Sequence, residues 1–391
     1  MEKPNNFMEK ISRIVSYLLV AAVASCATFY FCAQTNPETK LQQLESLILE
    51  CFIGEADQTK LEDAAADAMV NATGDKWSYY IPASEYAAYQ EQMRNAYVGI
   101  GVTINSVMGQ DGINVLNVDP SGGAFEAGML AGDVIVAVQK QDVLTLGMDA
   151  ASELIRGEEN TQVEITVLRG GEKLNLNVTR RTIKVAVAKG QMLGDDIGLI
   201  KITNFDERCA EETLAALEDL VSQGAKSLIF DVRYNPGGYK HELVKILDYL
   251  LPECVIFRSQ TYTGEESVSM SDAACLEVPM AVLINGSSYS AAEFFAAALD
   301  EYDRAVLVGE ATTGKSYFQS TFEFDDGSAV GLSVGKYFTP NGRSLADEGG
   351  LKPEVAVEVT KEVAAQIYAG TLTPEEDPQI QAAVAALKEA G

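Results

Sequence analysis

The sequence predicts a multidomain α/β protein: an apolar N-terminal run with a helical segment behind it, a small glycine-punctuated β unit, and a larger layered domain of strands and helices. Two changes of texture carry this reading. Apolar residues recur at helical spacing up to about Arg94, short β-like runs broken by Gly and Pro take over at Tyr97, and strand-like and helix-like segments alternate from about Val185. With 391 residues the chain is long enough for two or three domains, each with its own core.

The N-terminal run, 14–33, reads IVSYLLVAAVASCATFYFCA and holds no charged residue, a length that spans a hydrocarbon core. Lys3, Lys10 and Arg13 precede it, so the orientation expected is amino terminus in the cytoplasm and the remainder outside. A cleaved signal sequence competes, and Val23 to Cys26 resembles a lipoprotein cleavage site. Because the apolar residues continue past Cys26 through ATFYF, an uncleaved single-pass anchor in a bacterial cell membrane is the reading taken, with the working domains extracytoplasmic. Residues 38–94 follow as a helical region: Leu41, Leu44, Leu47 and Ile48 fall at spacings of three and four, which suits packing or self-association.

Charge and composition exclude several functions. A formal net charge of −28 repels phosphate backbones, which removes nucleic acid as a partner. Six cysteines, at 26, 32, 51, 209, 254 and 275, lack metal-ligand spacing, and with a single histidine no metal or organic cofactor is expected. The cysteines read as small buried apolar residues, the alternative being oxidation of a pair such as Cys254 and Cys275 if the chain is exported.

The β unit, 95–182, opens with YVGIGV, continues through two strands, a short helix at AFEAGM, the strand DVIVAVQ, a helix near MDAASELIRG and one last strand over VEITVLRGGEKLNLNVTRR. This order resembles a PDZ domain. The resemblance implies that backbone N–H groups of Val98, Gly99, Ile100 and Gly101 receive a peptide C-terminus while the peptide adds as a strand to the sheet edge.

In the α/β domain, 183–360, IGLIKI reads as a strand, CAEETLAALEDLVSQG as a helix, KSLIFDVR as a buried strand, YNPGG as a turn, KHELVKILDYLLP as a helix and VPMAVLI as a strand. That last strand leads into NGSSYS and then the helix-like AAEFFAAALD. A serine at such a strand-turn-helix junction is a candidate nucleophile, and it needs a base within hydrogen-bond reach. The one histidine, His241, falls among Lys240, Glu242 and Lys245 on an amphipathic helix and reads as solvated surface. A lysine serves instead if apolar burial lowers its pKa, and Lys315 stands beside Tyr317 and Phe318. Lys315 also completes a phosphate-loop pattern, GEATTGKS, but such a loop runs straight into a helix, whereas YFQSTFEFDDGSAVGLSVGKYFTP alternates with period two about an Asp-Asp-Gly turn.

The stretch INGSSYSAAEFFAAALDEYDRAVLVGEATTGKSYFQ, with GDKWSYYIPASEY, IGLIKITNF, LIFDVRYNPGG and KYFTPNGRSLADEGGLKPE in order around it, resembles the carboxyl-terminal processing proteases, the tail-specific, PDZ-containing serine peptidases of the S41 type. The resemblance covers most of residues 74–357. It implies a peptidase core of the tail-specific type, with Ser290 as nucleophile, Lys315 as general base and Gln319 as the residue supporting it. Physical reasoning agrees for Ser290, which precedes a helix whose free N–H groups favour negative charge, so that Ala291 N–H would help hold an oxyanion. A second donor is expected from Gly237 or Gly238 in the YNPGG turn. Ser287, Tyr289, Ala292 and Ser316 depart from the usual family wording. The substrates implied are proteins or peptides with accessible C-termini. A rival of another class is a non-catalytic PDZ scaffold. The extension, 361–391, carries IQAAVAALKEA, a helix for packing on the core or on a second copy in a homo-oligomer.

Overall fold

The computed structural model describes residues 13, 15–25, 39–105, 108–109 and 111–390. Of the expected anchor, 14–33, residues 14 and 26–33 lie outside the described residues. Residues 15–25 are helical and exposed, and among the described residues no helix is long and apolar enough to cross a membrane.

The chain divides into two units, 1–74 and 75–391. The first contains α1 (Lys40–Cys51) and α2 (Gln58–Asn71). Thr39 starts α1 with a reciprocal cap: its hydroxyl accepts the Gln42 N–H, and the Gln42 side chain accepts the Thr39 N–H at 2.9 Å. The division falls inside the stretch expected as one helical region, because residues 79–81 form a strand of the second unit.

That unit begins with β1 (Tyr79–Ile81) and α3 (Ala83–Met93). The β unit follows as β2 (Ala96–Gly99), β3 (Val102–Ile104), β4 (Ile113–Val118), α4 (Gly123–Glu126), β5 (Val134–Val138), β6 (Gln141–Asp142), α5 (Val143–Leu146), α6 (Met148–Ile155), β7 (Gln162–Arg169), β8 (Glu172–Thr179) and β9 (Arg181–Lys184). Its sheet runs β3-β4-β5-β7-β8, with β3 at an edge. Val163, Ile165 and Val167 point the same way along β7 and are fully buried with Ile113, Ile135 and Val178. The expected single last strand is two: Gly170 and Gly171, both at positive φ, turn β7 back on β8. Strands β2 and β9 pair with each other, so both ends of the unit leave it side by side.

The larger domain adds β10 (Ala188–Leu193), β11 (Ile197–Ile202), α7 (Cys209–Ser222), β12 (Ser227–Asp231), α8 (Lys240–Leu250), β13 (Val255–Thr261), β14 (Glu266–Met270), β15 (Met280–Ile284), α9 (Ala291–Glu301), β16 (Ala305–Gly309), β17 (Tyr317–Glu323), β18 (Ala329–Phe338), α10 (Leu345–Glu348), β19 (Val355–Ala356), α11 (Lys361–Ala369) and α12 (Pro378–Ala390). Its central sheet runs β10-β11-β12-β15-β16-β19, parallel except for β10. Helices α7, α8 and α9 cover one face around Phe205, Phe230, Phe294 and Phe295. On the other face Ile380, Ala383 and Leu387 of α12 pack on Ile229, Ala281 and Leu283. Burying one such phenylalanine contributes about 2 kcal/mol, so these faces dominate the domain's stability. Helix α12 is also fastened by a buried ion pair. The Arg233 guanidinium bonds Asp231 at 2.7 Å and Asp377 at 2.9 Å, and donates to Gln379 at 2.9 Å.

A second sheet, β1-β18-β13-β14 with β17 also on β18, forms the other wall of the cleft described below. It contains the hairpin expected after Lys315, and no helix follows that lysine. Cys254 and Cys275 are free thiols.

Candidate active site

Strand β15 delivers the chain into the turn 285–290, which several side chains pin to the neighbouring turn 232–235. Asn285 Oδ1 accepts the Tyr234 N–H at 3.0 Å, the Ser288 hydroxyl donates to Val232 O at 2.8 Å, and Tyr289 N–H donates to Asn235 O at 3.1 Å. Held in this way, Ser290 adopts φ +56° and ψ −125°, a conformation that costs a non-glycine residue roughly 1–3 kcal/mol and is found where a side chain must be presented at a sharp strand-to-helix turn. Helix α9 starts at the next residue. The Ala291 N–H has no hydrogen-bond partner among the described residues and is free for an anion.

The YNPGG turn packs directly against this point. Gly237 sits at φ +91°, and a Cβ built on it would stand 2.7 Å from Ser290 Cβ and 2.8 Å from Ala291 N, so only glycine leaves that space open. The two glycines differ in what their N–H groups have to offer. Gly237 N–H donates to Asn235 Oδ1 at 2.8 Å, whereas Gly238 N–H is unpaired among the described residues. Gly238 is therefore the turn's available oxyanion donor.

Lys315 approaches from the loop after β16. Its side chain is enclosed by aromatic rings, with Nζ 4.7 Å from the Trp77 ring centre and 5.8 Å from that of Tyr289. Burial pulls its pKa down to about 8, against the opposing pull of Asp75 and Glu293. Near neutral pH an appreciable fraction of this amine is unprotonated and able to accept a proton.

Glu293 connects the two segments; the only trace of it in the sequence is the S-x-x-E spacing of a helix start, in which Ser290 and Glu293 stand. The carboxylate is fully buried. One oxygen accepts the N–H groups of Ser290 at 3.0 Å and Lys315 at 2.8 Å; the other accepts the Gly314 N–H at 2.6 Å and the Thr312 hydroxyl. Burial pushes its pKa up while these donors draw it back. The backbones of Ser290 and Lys315 thus share a single carboxylate oxygen.

Gln319 lies in the same cleft but makes no hydrogen bond to Lys315. A bulge between Phe318 and Gln319 breaks the regular alternation of β17, and the side-chain amide donates to Ser333 Oγ at 2.9 Å. Ser333 in turn bonds Asp75, the carboxylate whose charge acts on Lys315. Gln319 therefore reaches the lysine through Ser333 and Asp75. Trp77 and Asp75 belong to the quoted words GDKWSYYIP, but nothing local in those words says that they meet Lys315.

The cleft, about 560 Å³, is lined by Gly237, Gly238, Ser290, Lys315 and Gln319 together with Tyr79, Tyr89, Met93, Asp206, Tyr239, Phe318 and Tyr337. His241 is not among its lining residues; it is exposed on α8 and stacks on Tyr239. The loop Val98–Gly101 lies outside this cleft. Val98 and Gly99 pair with Thr182 and Arg181 in the β2–β9 ribbon, while the Ile100 and Gly101 N–H groups have no partner among the described residues. Val98 N–H is engaged by Glu91 at 3.3 Å.

Comparison with known proteins points the same way. The sequence matches peptidase family S41 over residues 196–357 and a PDZ domain over 97–179. It is 31% identical over 359 residues to the carboxy-terminal processing protease CtpA of Bacillus subtilis (strain 168), covering 88% of this chain and 76% of that one. A probable CtpA-like serine protease of Staphylococcus aureus (strain COL) is 28% identical over 376 residues, covering 93% and 75%. Among solved structures, a putative S41 protease from Bacteroides fragilis NCTC 9343 shares the fold with a TM-score of 0.51 at 15% identity, over 91% of this chain and 98% of that one.

Proposed function

Because the chain belongs to peptidase family S41, as a serine-type carboxy-terminal processing protease with a PDZ domain, we propose that Ser290 is its nucleophile and Lys315 its general base. The observation that carries this is the pairing in one cleft of a serine held in a strained turn with a lysine whose surroundings favour the neutral amine. In this mechanism Lys315 Nζ takes the proton of Ser290 Oγ as the oxygen attacks the scissile carbonyl. The tetrahedral oxyanion is met by the N–H groups of Ala291 and Gly238. Lys315 then gives the proton to the leaving amine, and a water molecule deprotonated by the same amine hydrolyses the acyl-enzyme. Gln319 steadies Lys315 through Ser333 and Asp75.

Substrates arrive by their C-termini. The free N–H groups of Ile100 and Gly101 receive the terminal carboxylate, and the open edge of β3 accepts the peptide as an added strand. The apolar run 14–33, behind its basic flank, anchors the protein in a bacterial membrane with the peptidase domain extracytoplasmic. Self-association of the helical segments is part of the same proposal.

The test is digestion of an unfolded protein substrate by wild type, Ser290→Ala and Lys315→Ala. Each variant is expected to lose about a thousandfold or more in kcat/KM. Wild-type rates in either would overturn the assignment of that residue. A serine-reactive probe should label wild type at Ser290.

A further inference from the structure

The cleft is lined by a buried acid, Asp206, that the mechanism above does not use. Asp206 lies three residues ahead of the first residue of α7, whose cap position is held by Arg208, and its side chain does not cap the helix. Its backbone carbonyl accepts the Cys209 N–H, and the first-turn N–H of Ala210 is taken by Glu242 of α8 at 2.7 Å. The Asp206 carboxylate has no hydrogen-bond partner and no cation within ion-pair distance among the described residues, and Oδ1 is enclosed. The residue is 4% exposed. An unpartnered carboxylate at such burial is costly, and a donor brought by a ligand offsets that cost.

Its location says which ligand. Asp206 lines the cleft, and its backbone lies against the oxyanion turn: a Cβ on Gly238 would stand 2.7 Å from Asp206 N. Burial, with Glu207 adding like charge, lifts its pKa to about 7. Three cationic side chains line the cleft, but Lys315 is acted on by Asp75 and Glu293, Lys240 is directed to Ser267 Oγ at 3.4 Å and to the Phe257 ring, and Arg94 forms no ion pair with Asp206. A donor arriving with a positive charge bonds the carboxylate and offsets one of the two charges of the pair Asp206–Glu207, which a neutral donor does not.

We propose that Asp206 is a specificity residue, forming a subsite that takes a lysine or arginine side chain of the substrate near the scissile bond. This rests on reading the cleft as the peptidase site. The step is non-covalent: the substrate ammonium or guanidinium donates to the carboxylate as the chain settles over Gly238.

The experiment uses matched peptides in which each of three positions on either side of the cleaved bond is lysine or norleucine, which have similar length and differ in charge. At pH 8 wild type is expected to favour lysine at one position by about tenfold or more in kcat/KM, the size of a hydrogen bond to a charged group. Asp206→Asn and Asp206→Ala should bring that ratio close to one. An unchanged ratio in both variants, or no lysine preference at any position in wild type, overturns the subsite. Wild type that cleaves no peptide of either kind overturns the peptidase reading and the subsite with it, whereas cleavage without preference overturns the subsite alone.

Discussion

Glu293 lies under the junction of Ser290 and Lys315 whereas Asp206 lines the cleft itself, and each is more than nine-tenths buried with its pKa raised by burial. Glu293 receives four donors, three of them backbone N–H groups; the Asp206 carboxylate receives none. Burial alone therefore does not say what a buried acid is for. Four donors drawn from residues 290, 312, 314 and 315 make Glu293 a clamp between two segments that must keep a fixed geometry. An acid left without donors serves no packing purpose, and its cost persists until something enters the cleft.

The sharpest way to break this contrast is Glu293→Gln. Whichever way the amide is turned, its NH₂ faces two donors that formerly met an oxygen. We expect a loss of at least about 3 kcal/mol in urea unfolding, because buried donors are orphaned, and a drop of about a hundredfold in kcat, because the serine and lysine backbones are no longer held together. If both quantities match wild type, Glu293 is no clamp.

Lys315 titrates in the range where its protonation matters. Lys315 must be neutral to act, so kcat/KM should rise with pH along a limb centred near 8. Its stability effect has the opposite sign to that of a salt-bridged lysine. With the folded pKa lowered from 10.5 to about 8, the unfolded chain binds more protons between those values, and stability from this group rises with pH across that window. Lys315→Met should therefore be inactive yet more stable at pH 7 by about 1–3 kcal/mol, read from melting curves. A loss of stability at pH 7 would show that the amine is not strained by its aromatic surroundings.

The smallest expected effect is at Asp206. Its folded pKa is raised from 3.8 to about 7, so stability from this group is present at low pH and is lost as pH rises toward and through 7. Asp206→Asn should melt with wild type near pH 4 and about 1–2 kcal/mol above it near pH 8. A variant that is destabilised at pH 8 would mean the carboxylate has a structural partner after all.

What could be read from the sequence follows from how far each feature depends on distant residues. Ser290 and Ala291 were legible because a strand, a small-residue turn and a helix adjoin one another. The hairpin after Lys315 was legible from its period of two. The β7–β8 reversal was passed over because Gly170-Gly171 sits inside one unbroken β-like run. Strand β10 and the β13–β14 pair carry no comparable local signature. The surroundings of Lys315 could not be read at all: Trp77 and Asp75 reach it only after β1 has paired with β18, a register that local propensity does not encode. Asp206 is hidden differently, since an aspartate in a loop ahead of a helix carries no signal of burial, and its place in the cleft depends on the turn at Gly238 packing against it.

The ion pair beneath α12 gives the far face of the sheet a grip on the reacting one. Arg233 holds Asp377 and Gln379, and two residues later Asn235 holds the Gly237 N–H. Prising α12 away would strip the guanidinium of one of its two carboxylates and slacken the turn that meets Ser290. A helix on the far face of the sheet is, in mechanical terms, a lever whose fulcrum is a single arginine.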